Sequence, residues 1–160
     1  MATGFERLMS RLDYPMYIVT AAAEGAVSGC LVGFTTQTSI HPARFLVCLS
    51  RKNRTFRIAS GASHLAVHLV PADRIDLAEI FGELTTDDTD KLGLCGWKDG
   101  PRGLPILEGC PNWFAGPVVE RFGMGDHDGF VLEPETVGDA GIGEMLSFSD
   151  VSRLEPGHEP

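Results

Sequence analysis

The sequence predicts a mainly β protein with a few short helices, built as an antiparallel barrel. Three observations point there. Short apolar or β-branched runs recur, bounded by Gly, Pro, Asn and Asp; Glu24-Gly25 signals an early hairpin; and long helices do not alternate with the strands as a parallel sheet requires. At 160 residues, 43% hydrophobic and 22% charged, the chain can bury a real core and is expected to form one domain over residues 1–160.

Phe5, Leu8, Met9 and Leu12 recur at helical spacing and predict a short amphipathic helix, ended by Asp13-Tyr14-Pro15. Residues 16–22 read as the first strand, and Glu24-Gly25 turns into a second over residues 26–34. Thr35, Thr36, Gln37, Thr38 and Ser39 follow as an uncharged, hydroxyl-rich loop, and His41-Pro42 turns the chain back. Residues 44–50 form a third strand, continuously apolar at its centre and therefore expected to be buried. Ser50, Arg51, Lys52, Asn53, Arg54 and Thr55 then make a basic loop that opens a short helix closed by Gly61.

In residues 63–70, His64 and His68 are four apart, the spacing of a helical metal pair. The apolar residues alternate with a period of two, however, and Gly61 and Pro71 flank the run, so it reads as a strand and no metal site is expected. Asp73 begins a helix ending at Gly82; residues 85–91 read as a solvated acidic segment, a surface turn or helix start; residues 93–97 read as a brief strand. Residues 117–122 and 130–133 are strands on either side of a glycine-rich turn, and residues 147–154 suggest a last short strand. Trp113 and Phe114 suit either a shield for a ligand's edge or ordinary core and interface packing.

Composition excludes several functions. A net charge of −9, from 13 basic and 22 acidic residues, disfavours nucleic acid as a partner. It also makes Arg51, Lys52 and Arg54 stand out as a place where an anion is focused. Apolar runs fall far short of a membrane helix, and charges near the N-terminus occupy the place of a signal peptide's apolar core, so a cytoplasmic location is expected. The four cysteines show neither CxxC nor zinc spacing; Cys30 and Cys48 sit in strand patterns and read as buried thiols, although four cysteines also permit disulfides in a secreted chain. No GxGxxG opens a helix after a strand, and no GxSxG elbow or paired acid and base is present.

Neutral hydroxyls at one strand mouth suit a polar heterocycle or sugar alcohol. Cations, hydroxyls and backbone N–H groups at the next suit a phosphate, while Ser50 or Asn53 suits a plain helix cap equally well. The block GFTTQTSIHPARFLVCLSRKNRT, with Gly125-Asp126-His127 downstream, resembles the flavin reductase-like family of FMN-binding split barrels over residues 14–132. The loop from Thr35 to Pro42 is a few residues shorter than the commonest family form.

This resemblance implies a homodimeric split barrel that reduces FMN or FAD with NADH or NADPH by hydride transfer, supplying reduced flavin to a partner monooxygenase. It implies that Thr35, Thr36, Gln37, Thr38 and Ser39 line the ring and ribityl chain, and that Ser50, Lys52, Asn53 and Thr55 hold the phosphate. His127 would lie near the nicotinamide or its phosphates, the alternative being a turn histidine bonded to backbone. Two other functions keep the fold: a non-catalytic flavin-binding electron carrier, and a barrel using a deazaflavin or a pyridoxine-type phosphate.

Overall fold

A computed structural model describes residues 3–83, 90–141 and 143–153. Helix α1 (Gly4–Met9) precedes β1 (Tyr17–Ala23), β2 (Ala26–Val32), β3 (Thr35–Ser39) and β4 (Arg44–Ser50). Helix α2 (Arg54–Ser60), β5 (His64–Leu69) and α3 (Ile75–Glu83) follow, then the hairpin of β6 (Trp97–Asp99) and β7 (Pro105–Leu107). The long strand β8 (Trp113–Gly123), β9 (His127–Leu132), β10 (Thr136–Gly138) and α4 (Phe148–Val151) complete the described chain.

The main sheet is antiparallel in the order β2-β1-β5-β8-β9-β4-β3, with β10 also paired to β8. Strand β8 splits it. Its first half pairs with β5, from Trp113 opposite His68 to Pro117 opposite His64, and its second half pairs with β9 after a register shift beyond Val118. The shift bends the strand and re-aims its second half. Gly116 permits the bend's close approach, since a Cβ there would lie 1.8 Å from the Glu133 carbonyl oxygen.

Alternation along the strands fills the barrel. Val19, Ala21, Cys30, Val32, Val47, Leu49, Leu65, Val67, Phe130 and Leu132 form one buried cluster. On the other face of β1, Ile18 and Met16 meet Leu77, Ala78 and Phe81 of α3. Strand β5 is buried on both faces because the β6–β7 hairpin covers its outer side through Ala66, Leu104 and Ile106.

Several expectations are corrected. Thr35, Thr36, Gln37, Thr38 and Ser39 form not a loop but the edge strand β3, because β-branched residues without a turn former pair readily with β4. The second strand therefore ends at Val32 rather than residue 34. Residues 147–154 do not make a strand. Ser147 and Asp150 close a capping box that starts α4, with Leu154 outside the described residues. Helix α1 stops at Met9 and buries nothing, leaving Phe5, Leu8 and Leu12 exposed. Residues 92–94 coil into a 3-10 turn before β6. Residues 85–89 lie outside the description, but Lys91 is buried rather than solvated, its ammonium donating to the Phe81 carbonyl at the end of α3. Strands β8 and β9 begin earlier than expected, at Trp113 and His127.

His68 stitches three strands. Its Nδ1–H donates to the Ile18 carbonyl at 2.9 Å and its Nε2 accepts the Leu107 N–H at 3.1 Å. Both ring nitrogens are thus engaged in the core, which removes His68 as a metal ligand. Burial, opposed by the Ile18 bond, lowers its pKa from 6.5 to about 4. The unfolded chain then binds the extra proton between those values, so stability falls as pH drops from about 6.5 to about 4 and is unaffected above. Urea titrations should show a loss approaching about 3 kcal/mol over that window. The His68→Asn variant should be weaker at neutral pH but fall less on acidification.

Candidate functional site

The register of β4 on β9 builds the site. Pairing runs from Phe45 opposite Leu132 to Ser50 opposite His127. Directly opposed residues point the same way, so Leu46, Cys48 and Ser50 share the barrel's outer face with Val131, Gly129 and His127. Val47 and Leu49 point inward and are buried, whereas Leu46, Cys48 and Ser50 are half-buried. The expectation of a wholly buried strand is corrected on this face.

Phe34 joins the face from the bend between β2 and β3. Its carbonyl accepts the Cys48 N–H at 2.9 Å, and its ring centre lies 5.1 Å from that of His127, with the planes 48° apart. Phe34 is 56% exposed, and Phe122 and Met124 are 42% and 44% exposed. The two latter side chains fold over Gly129, where a Cβ would come within 2.9 Å of Met124 Cε and 3.1 Å of Phe122.

Asp126 orients the histidine. Its Oδ1 lies 2.7 Å from His127 Nδ1, and a carboxylate only accepts, so Nδ1 carries the proton and Nε2 is the ring's other functional atom. That hydrogen bond, more than the charges of His127 and Lys52, holds the Asp126 carboxyl below its ordinary range. The hairpin is further fixed by Arg51, whose N–H donates to the Asp126 carbonyl and whose Nε meets Asp128 Oδ1 at 2.6 Å. Arg54 donates to the Val27 carbonyl. Two of the three cations that stood out in the sequence are therefore tied into the fold, and Lys52 lies close enough to Asp126 to lower its pKa.

The remaining expected residues divide. Thr36 is paired with Leu46 and shares the outer face; Leu46 and Ser50 are separated by roughly 13 Å of strand. Thr35 opposes Val47 and Gln37 opposes Phe45, so both turn to the barrel side. A register shift falls between Gln37 and Ser39, and Thr38 is exposed within it. Ser39 sits opposite Arg44, at the far end from Ser50. The Ser50 hydroxyl accepts the Lys52 N–H at 3.4 Å. Asn53 is the helix cap, its Oδ1 accepting the Thr55 N–H at 2.8 Å. Thr55 is fully buried and its hydroxyl is bonded to Ser28 at 2.8 Å, which places it in the core rather than on the rim.

The structure thus gathers Thr36, Ser50, Lys52 and His127 with Asp126, already part of the Gly125-Asp126-His127 motif, and adds Phe34, Phe122 and Met124, to which sequence reasoning gave no role. The signals were adjacency: Phe34 precedes the threonine run, and Phe122 and Met124 flank Gly123. As an edge strand, β3 also presents backbone N–H and C=O groups that no neighbouring strand pairs. Flat aromatic surface, edge amides, a hydroxyl and a cation together fit a polar ring with an anionic tail. Trp113 and Phe114 lie elsewhere, against β10 and β5.

Known proteins similar to this chain bear on its family and its fold. An FMN reductase (NADH) from Methylorubrum populi is 26% identical over 149 residues, which cover 93% of this chain and 73% of that protein. The reductase component of 4-hydroxyphenylacetate 3-monooxygenase from Pseudomonas aeruginosa is 23% identical, covering 84% of this chain and 79% of its own length. The solved flavin reductase domain protein from Arthrobacter sp. FB24 superimposes with a TM-score of 0.83 at 21% identity, covering 91% of this chain and 89% of that one; it shares the fold. The sequence model of the flavin reductase like domain matches residues 9–150, and the chain belongs to that family.

Proposed function

We propose that this chain is an NAD(P)H:flavin oxidoreductase that reduces FMN or FAD by hydride transfer and supplies the reduced flavin to a partner monooxygenase. Family membership over residues 9–150 carries the proposal, and the relatives named as an FMN reductase and a monooxygenase reductase component support it. The open face around Ser50 and His127 supplies a suitable geometry.

Bound flavin would supply the hydride acceptor and the pyridine nucleotide the donor, so the reaction asks for stacking, water exclusion and charge balance from the protein. Thr36 and the unpaired edge of β3 hydrogen-bond the polar rim of the ring, with Thr35, Gln37, Thr38 and Ser39 contributing through that backbone. Phe34, Phe122 and Met124 keep water from the ring face. Ser50 and Lys52 hold the phosphate, and Asn53 fixes the loop that carries them, as Thr55 does from within the core. His127, oriented by Asp126, turns Nε2 toward the nicotinamide dinucleotide.

The half-covered apolar face of Leu46, Cys48, Phe34, Phe122 and Met124 supports closure by a second copy, hence a homodimer. Four free cysteines support a reducing, cytoplasmic setting; burial pushes the Cys30 and Cys110 thiols up to about 11 and about 12. Among the described residues no helix is long and apolar enough to cross a membrane.

Purified protein given FMN or FAD should bleach the flavin's visible absorbance when NADH or NADPH is added; no bleaching with any pairing would refute the activity. Lys52→Ala should weaken FMN binding about tenfold to a hundredfold, the value of one charge-assisted contact, as read by fluorescence titration. His127→Ala should raise KM for the pyridine nucleotide while leaving the FMN dissociation constant within about twofold. An equal loss of both affinities would place His127 on the flavin instead.

A further inference from the structure

At the opposite end of β4 the barrel carries a cavity of about 600 Å³, within the size range of small-molecule sites. It shares no lining residue with the Ser50–His127 face. Phe45, the β4 residue in its wall, precedes Ser50 by five positions and points to the other side of the sheet, roughly 16 Å along the strand.

The wall is aromatic. Tyr17 and Phe114 both meet Phe45 edge-to-face, at centroid distances of 5.6 and 5.0 Å. Trp113 lies over Gly138, where a Cβ would come within 2.2 Å of the indole Nε1. Two donors in this wall, the Tyr17 hydroxyl and the Trp113 indole N–H, have no hydrogen-bond partner among the described residues. Among the described residues every fully buried side-chain nitrogen or oxygen is satisfied, so these two reach open space. Burial holds the Tyr17 phenol above its ordinary range and keeps it a donor at neutral pH. The Asn112 Oδ1 already accepts the Ala140 N–H and its carbonyl the Leu69 N–H, and the rim carries the carboxylates of Asp139 and Glu144.

We propose that this cavity is a second ligand site, distinct from the flavin face, that takes an uncharged planar aromatic molecule bearing a hydrogen-bond acceptor. Ring walls favour a ring beyond its simple burial. Two unpartnered donors call for an acceptor on it, since a buried donor left unmet is costly. The rim carboxylates disfavour an anion, which excludes aromatic acids as the preferred class.

Calorimetric titration of the full chain with p-cresol, with and without saturating FMN, tests this. Saturable binding is expected, with a dissociation constant of about 1 mM or tighter, and FMN should not displace it. The anion p-hydroxybenzoate should bind at least about tenfold more weakly than p-cresol. Tyr17→Phe should weaken p-cresol about threefold to tenfold. Ala140→Phe, at an exposed rim position, should abolish p-cresol binding while flavin reduction continues. Absence of saturable binding, including through coverage of the cavity by a second copy, overturns the proposal. Displacement by FMN, or unchanged binding in folded Ala140→Phe, overturns it as well.

Discussion

Everything at the candidate site depends on the register of β4 against β9. Side chains alternate between faces, so a slip of one residue would turn Ser50 and Cys48 into the barrel and push Val47 and Leu49 out to water. Val47, Leu49, Phe130 and Leu132 are all at most 1% exposed, and exposing any one of them costs on the order of 1.5–3 kcal/mol. The apolar core therefore selects the register, and the register sets Ser50 opposite His127. The Asp126–His127 and Arg51–Asp128 contacts act afterwards, fixing rotamers at a position the core has already chosen.

The same strand explains why the face remains open. Elsewhere α3 covers one face of β1, and the β6–β7 hairpin covers the outer side of β5. Beside Leu46 and Cys48, the side chains of Phe34, Phe122 and Met124 are each partly exposed. An apolar surface flanked by a histidine, a hydroxyl and a lysine is suited to a ligand with an apolar ring plane and a charged end. Edge strand β3 contributes backbone groups that a sheet interior could not spare.

Much of this was legible in the residues. Continuous apolar runs and turn residues located β1, β2, β4 and β5, because burial and backbone geometry act locally there. The two histidines of β5 read correctly as strand residues, since the period-two apolar pattern outweighs their i,i+4 spacing. What local pattern does not encode is pairing. Nothing in the five residues from Thr35 announces that β4 will supply a partner edge, and nothing in Lys91 announces the Phe81 carbonyl that draws it inward. The fate of Thr55 was hidden likewise, since Ser28 is remote in sequence. The helix α4 was an avoidable miss: Ser147-Phe148-Ser149-Asp150 is a capping-box pattern.

A crystal structure of the full chain grown with FMN tests the central claim most directly. The expected result is the flavin ring on the outer face between β3 and β9, against Phe34 and Cys48, with its phosphate beside Ser50 and Lys52. Flavin seated instead in the cavity walled by Tyr17 and Trp113, with the Ser50–His127 face empty, would contradict it.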